Sequence, residues 1–209
     1  QAALRRSGEW DLFEDYVIYF FEDIEGIKSG GELTLKGNIA PLILGEPREP
    51  LAPISHELVL ENTFQYNNND LVVIDWNAAV VLEPTGQRDV ADVIEFALTH
   101  LLEVRYYDDL IDKRLEGLYD AIEKERHGVL NTYFSKASRE ASSRYIEFSE
   151  FMERVDNSLK VVGDFYLAVI FRGATRKFRI QDWQQSISRK MGILAQVSEL
   201  LEGEMNVRR

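Results

Sequence analysis

The chain has 209 residues, 45% of them hydrophobic and 29% charged, with a formal charge of −12 and a sequence pI near 4.8. That length allows a sizeable buried interior in one domain or in two that share a core. The acidic balance argues against nucleic acid as a general partner, because a phosphate backbone is bound by a basic face. With no cysteine in the chain, a disulfide framework, a thiolate nucleophile and a thiolate metal site are all excluded.

No stretch is apolar for the roughly 18 residues that a membrane-spanning helix requires, and no signal peptide opens the chain. The sequence begins at Gln1 without Met and stops on Arg208-Arg209, so it reads as a trimmed piece. Charge is unevenly spread: from Arg172 to Arg209 there are eight Lys or Arg against four Asp or Glu, a net of +4, which leaves −16 for the residues before Arg172.

In chain order, Tyr16 to Phe21 is a β-branched and aromatic run that predicts a strand covered on both faces. Glu32 to Lys36 alternates apolar and polar residues, as a half-exposed strand would. Pro41, Pro47, Pro50 and Pro53 suggest a loop-rich segment or sheet edge. Leu58 to Tyr66 alternates again, and Asn67 to Asp70 is a turn by composition. Leu71 to Leu82 predicts one long strand or a bent pair, with Val72, Ile74, Trp76, Ala78, Val80 and Leu82 on one face and Trp76 in the core.

After Gly86 the apolar period changes from two to about three and a half. Ile94, Ala97, Leu101, Val104, Asp108, Ile111, Leu115, Leu118 and Ile122 follow the 3,4 spacing of a buried helical stripe, which predicts a long helix from about Asp89, its N-cap, to Arg126. A second rod is expected from about Ser143 to Arg179, where Gly163 and Gly173 mark places of close approach by a neighbouring helix. A third opens on Asp182 with Gln185 in a capping-box pattern and carries Trp183, Ile187, Met191, Leu194, Val197 and Leu201 on one stripe. The fold expected is therefore α+β: a small, mainly antiparallel β module over residues 1–86, then a bundle of three long antiparallel helices with coiled-coil-like heptads over residues 87–209.

The one motif that spells out chemistry is Asp108-Asp109-x-x-Asp112. Enzymes acting on diphosphates hold magnesium with this pattern, but they use two acidic clusters facing each other across a helical cavity. Here there is one cluster, and Asp156-Asn-Ser158 lacks the glutamate that would complete a second. In the heptad only Asp108 falls on the seam. A buried carboxylate there needs a cation, since an unpaired one costs several kcal/mol. An antiparallel hairpin of the first two rods sets Asp108 near Lys160 and Arg105 near Asp164, a structural polar seam. His100 with Glu103 reads as a surface pair, and His56 and His127 stand beside loops. No nucleophile elbow or Gly-rich phosphate loop is present.

The segments Leu71 to Ala79, Leu102 to Asp109, Leu159 to Leu167 and Trp183 to Arg189 resemble a group of uncharacterised bacterial proteins that in turn looks like the family required for meiotic nuclear division. The resemblance implies association with membranes and assembly rather than an established reaction, and an isoleucine-rich hydrophobic helix following the arginines at the end of the chain.

These readings combine into an expectation of a membrane-tethered, self-associating scaffold or interaction protein. It would be a homodimer at the cytoplasmic face of a membrane, anchored through a segment C-terminal to Arg209, with no cofactor, no nucleic acid and a protein partner of unknown identity. The alternative is a magnesium-dependent enzyme acting on diphosphates or nucleotides through Asp108, Asp109 and Asp112.

Overall fold

The computed structural model describes residues 13–46, 50–123 and 165–207, with isolated helical positions at 143, 146, 149, 150 and 153. The elements are β1 (Val17–Phe21), α1 (Gly30–Lys36), α2 (Ile39–Leu44), α3 (Pro53–Leu60), β2 (Thr63–Phe64), β3 (Leu71–Ile74), β4 (Ala78–Leu82), α4 (Asp89–Glu123), α5 (Phe165–Lys177) and α6 (Ile180–Val207). An α+β fold is thus what forms, but its sheet is mixed rather than mainly antiparallel. The strand order is β1-β4-β3-β2, and β1 runs parallel to β4 while the other neighbours are antiparallel. The chain folds into two compact units. One holds Glu14–Leu101 together with Val161–Ile180; α4 from Leu102 onward and α6 from Gln181 onward belong to the other.

The sheet unit is organised by the β3–β4 hairpin. Asp75 N–H donates to Ala78 O at 2.9 Å, which leaves Trp76 and Asn77 as a two-residue loop. Across it Ile74 pairs with Ala79 and Val73 with Val80, so odd positions of β3 lie beside even positions of β4. The faces therefore differ from those the alternation suggests: Leu71, Val73, Ala78, Val80 and Leu82 share one core cluster, whereas Val72 and Ile74 point to the other side. Trp76, expected in the core, sits at the loop tip and is 44% exposed. Both faces of β3 and β4 are fully buried. The first cluster takes in Leu33 of α1, Ile39, Ala40 and Ile43 of α2, and Val59 of α3, with Tyr19 and Phe21 of β1 packed against it. α5 packs against β3.

Three stretches before the hairpin depart from the strand and loop expected of them. Gly30–Lys36 is helical because Ser29 caps it, its Oγ accepting from Glu32 N–H at 3.1 Å while Glu32 accepts from Lys28 N–H at 2.8 Å. Two of the four prolines expected to mark a loop or edge, Pro41 and Pro53, open helices instead. Pro41 lies in the first turn of α2 and Pro53 begins α3, positions where a missing N–H costs nothing. Leu58 to Tyr66 accordingly splits into the end of α3 and the short β2.

Among the described residues four polar contacts tie α5 to the hairpin unit, one of them from the Asn62 amide to Gly173 O at 3.5 Å. Tyr166 OH donates to Asp70 at 3.0 Å, Arg176 donates to Asn62 Oδ1 at 3.3 Å, and Lys177 pairs with Asp75 at 3.0 Å. Gly173 is required between them, since a Cβ there would run into the Phe64 ring. The close approach at Gly173 is thus made by a strand side chain, not by a helix; Gly163 lies outside the described residues. A Phe178-Arg179 turn, with Arg179 in the left-handed region at φ 55°, separates α5 from α6. α6 begins at Ile180, which places Asp182 inside its first turn rather than at its cap.

Candidate functional site

α4 runs unbroken for 35 residues, and its stripe is buried at Ile94, Ala97, Leu101, Val104, Asp108, Ile111 and Leu115. Period and burial coincide because each of these residues falls on the face turned inward by 3,4 steps. Leu118 and Ile122 lie outside the described side chains.

In the unit built on Leu102–Glu123 and α6, that stripe carries the acidic motif. Asp108 is buried, with 11% of its side chain exposed, against 31% for Asp109 and 47% for Asp112. Lys190 of α6 donates to Asp108 Oδ1 at 2.8 Å and to Asp112 Oδ2 at 2.6 Å, while Asp109 pairs along the helix with Lys113 at 2.8 Å. Burial alone would pull the Lys190 ammonium down. The hydrogen bonds and charges of Asp108 and Asp112 outweigh it and hold the group above the ordinary lysine value.

Arg105, one turn before Asp108, lies over the Trp183 ring at 5.9 Å. From Arg105 to Asp112 the α6 partners advance from Trp183 to Lys190, so the two helices run in the same direction. The anticipated partners Lys160 and Asp164 lie outside the described residues. Two of the three aspartates thus share one ammonium, which hydrogen-bonds to both. Among the described residues no group of three or more His, Asp or Glu is arranged to hold a metal ion.

The second polar site lies in the sheet unit and centres on Asp70, which is 3% exposed. Its carboxylate accepts from Tyr66 N–H at 2.9 and 3.1 Å, from Asn67 N–H at 2.6 Å and from Tyr166 OH. A cavity of about 170 Å³ opens beside it, lined by Tyr66, Glu83, Gln87, Asp89 and Tyr166 among others. With its lone pairs taken up, Asp70 closes the 66–70 turn and holds α5; it is a structural hub that the turn composition hinted at without revealing. Asn62, also buried, was not foreseen. Its amide donates to Ile74 O at 3.3 Å and Gly173 O at 3.5 Å. His100 is 2% exposed, not a surface residue, with its ring edge-on to Phe171; His127 lies outside the described residues.

Residues 1–89 match a family model described as the N-terminal domain of the uncharacterized protein MJ0711. The chain is similar to the uncharacterized protein MJ0711 of Methanocaldococcus jannaschii, 21% identical over 198 residues, which cover 93% of this chain and 59% of that protein. The relative is archaeal. This corrects the resemblance to bacterial proteins and to the family required for meiotic nuclear division, which neither match supports. The chain spans 59% of the length of the archaeal relative. No solved structure matches.

Proposed function

We propose that this chain is a self-associating interaction module, acting through a presented apolar surface rather than through turnover of a substrate. The observation that carries the reading is the outer surface of α2 and α3, two helices packed on each other. Leu42 and Leu44 of α2 are 37% and 38% exposed, and Ile54 and Leu58 of α3, one turn apart, 60% and 56%. Apolar side chains left exposed on one helix face, as Ile54 and Leu58 are, mark an interface. A second copy is the favoured occupant. The net charge of −12 makes copies repel except where charge is absent, and α2 has no charged residue while α3 has only Glu57.

Among the described residues it is exposed apolar side chains on these short helices, rather than a long-helix stripe, that support the homodimer. A rod antiparallel to both α4 and α6 would complete the proposed bundle. Magnesium-dependent chemistry at Asp108, Asp109 and Asp112 gains no observation in its favour, since ammonium groups already bind these carboxylates. The membrane tether rested on the resemblance and forms no part of the proposal once that is corrected; among the described residues no helix is long and apolar enough to cross a membrane.

Light scattering at tens of micromolar tests the dimer. The unaltered chain should run as a dimer, and the pair Ile54→Ser and Leu58→Ser should run as a monomer with its thermal transition retained. A monomeric unaltered chain, or a dimer indifferent to both substitutions, overturns the proposal.

A further inference from the structure

β1 is an edge strand, and its two sides are unlike. On one side Val17 N–H donates to Asn77 O at 3.3 Å and Phe21 O accepts from Glu83 N–H at 2.9 Å. In a parallel ladder the bonding groups alternate, so residues 17, 19 and 21 face β4, and the N–H and C=O of Ile18 and Phe20 point the other way. Among the described residues no strand pairs with that outer side. β1 is also only partly buried along its length, and Val17 is 49% exposed, in contrast to the sealed β3 and β4. An open row of strand donors and acceptors is a template for a further strand.

The sequence around β1 says which strand. From Glu14 to Glu25 there are five carboxylates, Glu14, Asp15, Glu22, Asp23 and Glu25, and no Lys or Arg. They bracket the apolar run on both ends, with Asp15, Glu22, Asp23 and Glu25 all exposed. Arg88 stands over the ring of Phe20 at 5.5 Å, the cation the structure places on this strand.

A second copy is a poor occupant. Setting Ile18 against Phe20 of another β1 puts Asp15 opposite Asp23, and like charges facing across a strand pair are destabilising. A strand with basic residues at both ends meets a carboxylate at each end whichever direction it runs.

We propose that the outer edge of β1 binds an extended segment of a partner protein, apolar and β-branched in its middle and flanked on both sides by Lys or Arg. The segment adds as a fifth strand through the backbone groups of Ile18 and Phe20. This rests on reading the chain as an interaction module, but it uses a different surface from the dimer and stands if the dimer fails.

The probe is a fluorescent peptide of alternating Thr and Val with Lys-Arg at each end, titrated by anisotropy at two salt concentrations. Binding should weaken with salt, should fall about tenfold or more for the same peptide with Glu-Glu ends, and should vanish when a central Val is proline. Ile18→Pro removes an outward N–H while leaving the β4 ladder intact, and it should abolish binding with the fold retained by circular dichroism. Should that variant fail to fold, the double variant Asp15→Lys and Asp23→Lys serves instead and should reverse the preference toward the Glu-ended peptide. Absence of binding, equal binding of both peptides, or binding that survives Ile18→Pro overturns the proposal. So does a dimer abolished by Ile18→Pro but not by the α3 substitutions, which would make a second copy the occupant. A dimer lost with peptide binding intact removes only the self-association reading.

Discussion

Lys190 is the residue whose replacement should tell most about the helical unit. Its ammonium pairs with two carboxylates at once, and only 21% of its side chain is exposed. Lys190→Met keeps the aliphatic stem but leaves Asp108 without this cation, so stability at neutral pH should fall by about 1 to 3 kcal/mol, measured by urea unfolding. The pH dependence follows from the raised folded-state value. A base whose pKa is higher in the folded chain contributes in full below its unfolded value and loses that contribution as pH climbs through the folded one. The difference between the unaltered chain and Lys190→Met should therefore be steady from neutral pH to about pH 10 and shrink above it. A difference that grows in alkali would contradict the ion cluster. That Asp108 needs a cation was legible in the sequence, because a carboxylate on an apolar stripe is costly unless paired. Which lysine supplies it was not, since the spacing offers bases on more than one expected helix and only packing brings Lys190 to it.

Among the elements, α1 shows how a local signal can outweigh an apolar pattern. Leu33 and Leu35 alternate as in a strand, yet Leu33 is 6% exposed and Leu35 87%, and the segment is a helix. Ser29, with Glu32 three positions on, is the N-terminal capping signature, and it is as readable in the sequence as the alternation. Ser29→Ala should lower stability by about 0.5 to 2 kcal/mol, while Ser29→Asp should leave it nearly unchanged, both read from thermal unfolding. Equal losses from the two would mean that the hydroxyl does not cap. α4 was the most legible element because seven stripe positions agree over many turns, and no short-range signal competes with so long a period. The sheet was less legible. Parallel pairing of β1 with β4 joins residues far apart in sequence, and nothing in either run records its partner's direction.

At the scale of the molecule, the sheet unit is discontinuous: its α5 arrives from Val161–Ile180, long after the hairpin it holds. Asn62, Asp70 and Asp75 come from the first half of the chain, and Arg176, Tyr166 and Lys177 from the second. The change of period at Gly86 marks where the first long helix begins, and the contacts cross it. The parallel pairing of β1 carries a kinetic consequence. The β3–β4 hairpin closes over two loop residues and can form early, whereas β1 can reach β4 only after the whole stretch from Glu22 to Asn77 has been gathered in. On logarithmic scaling that closure costs about 3 to 4 kcal/mol of chain entropy, against far less for the hairpin. β1 should therefore be the last strand to join on folding and the first to leave on local opening. In native-state hydrogen exchange, the β1 amides that face β4 should exchange ahead of those of Val73 and Val80, although both sets are hydrogen-bonded within the same sheet.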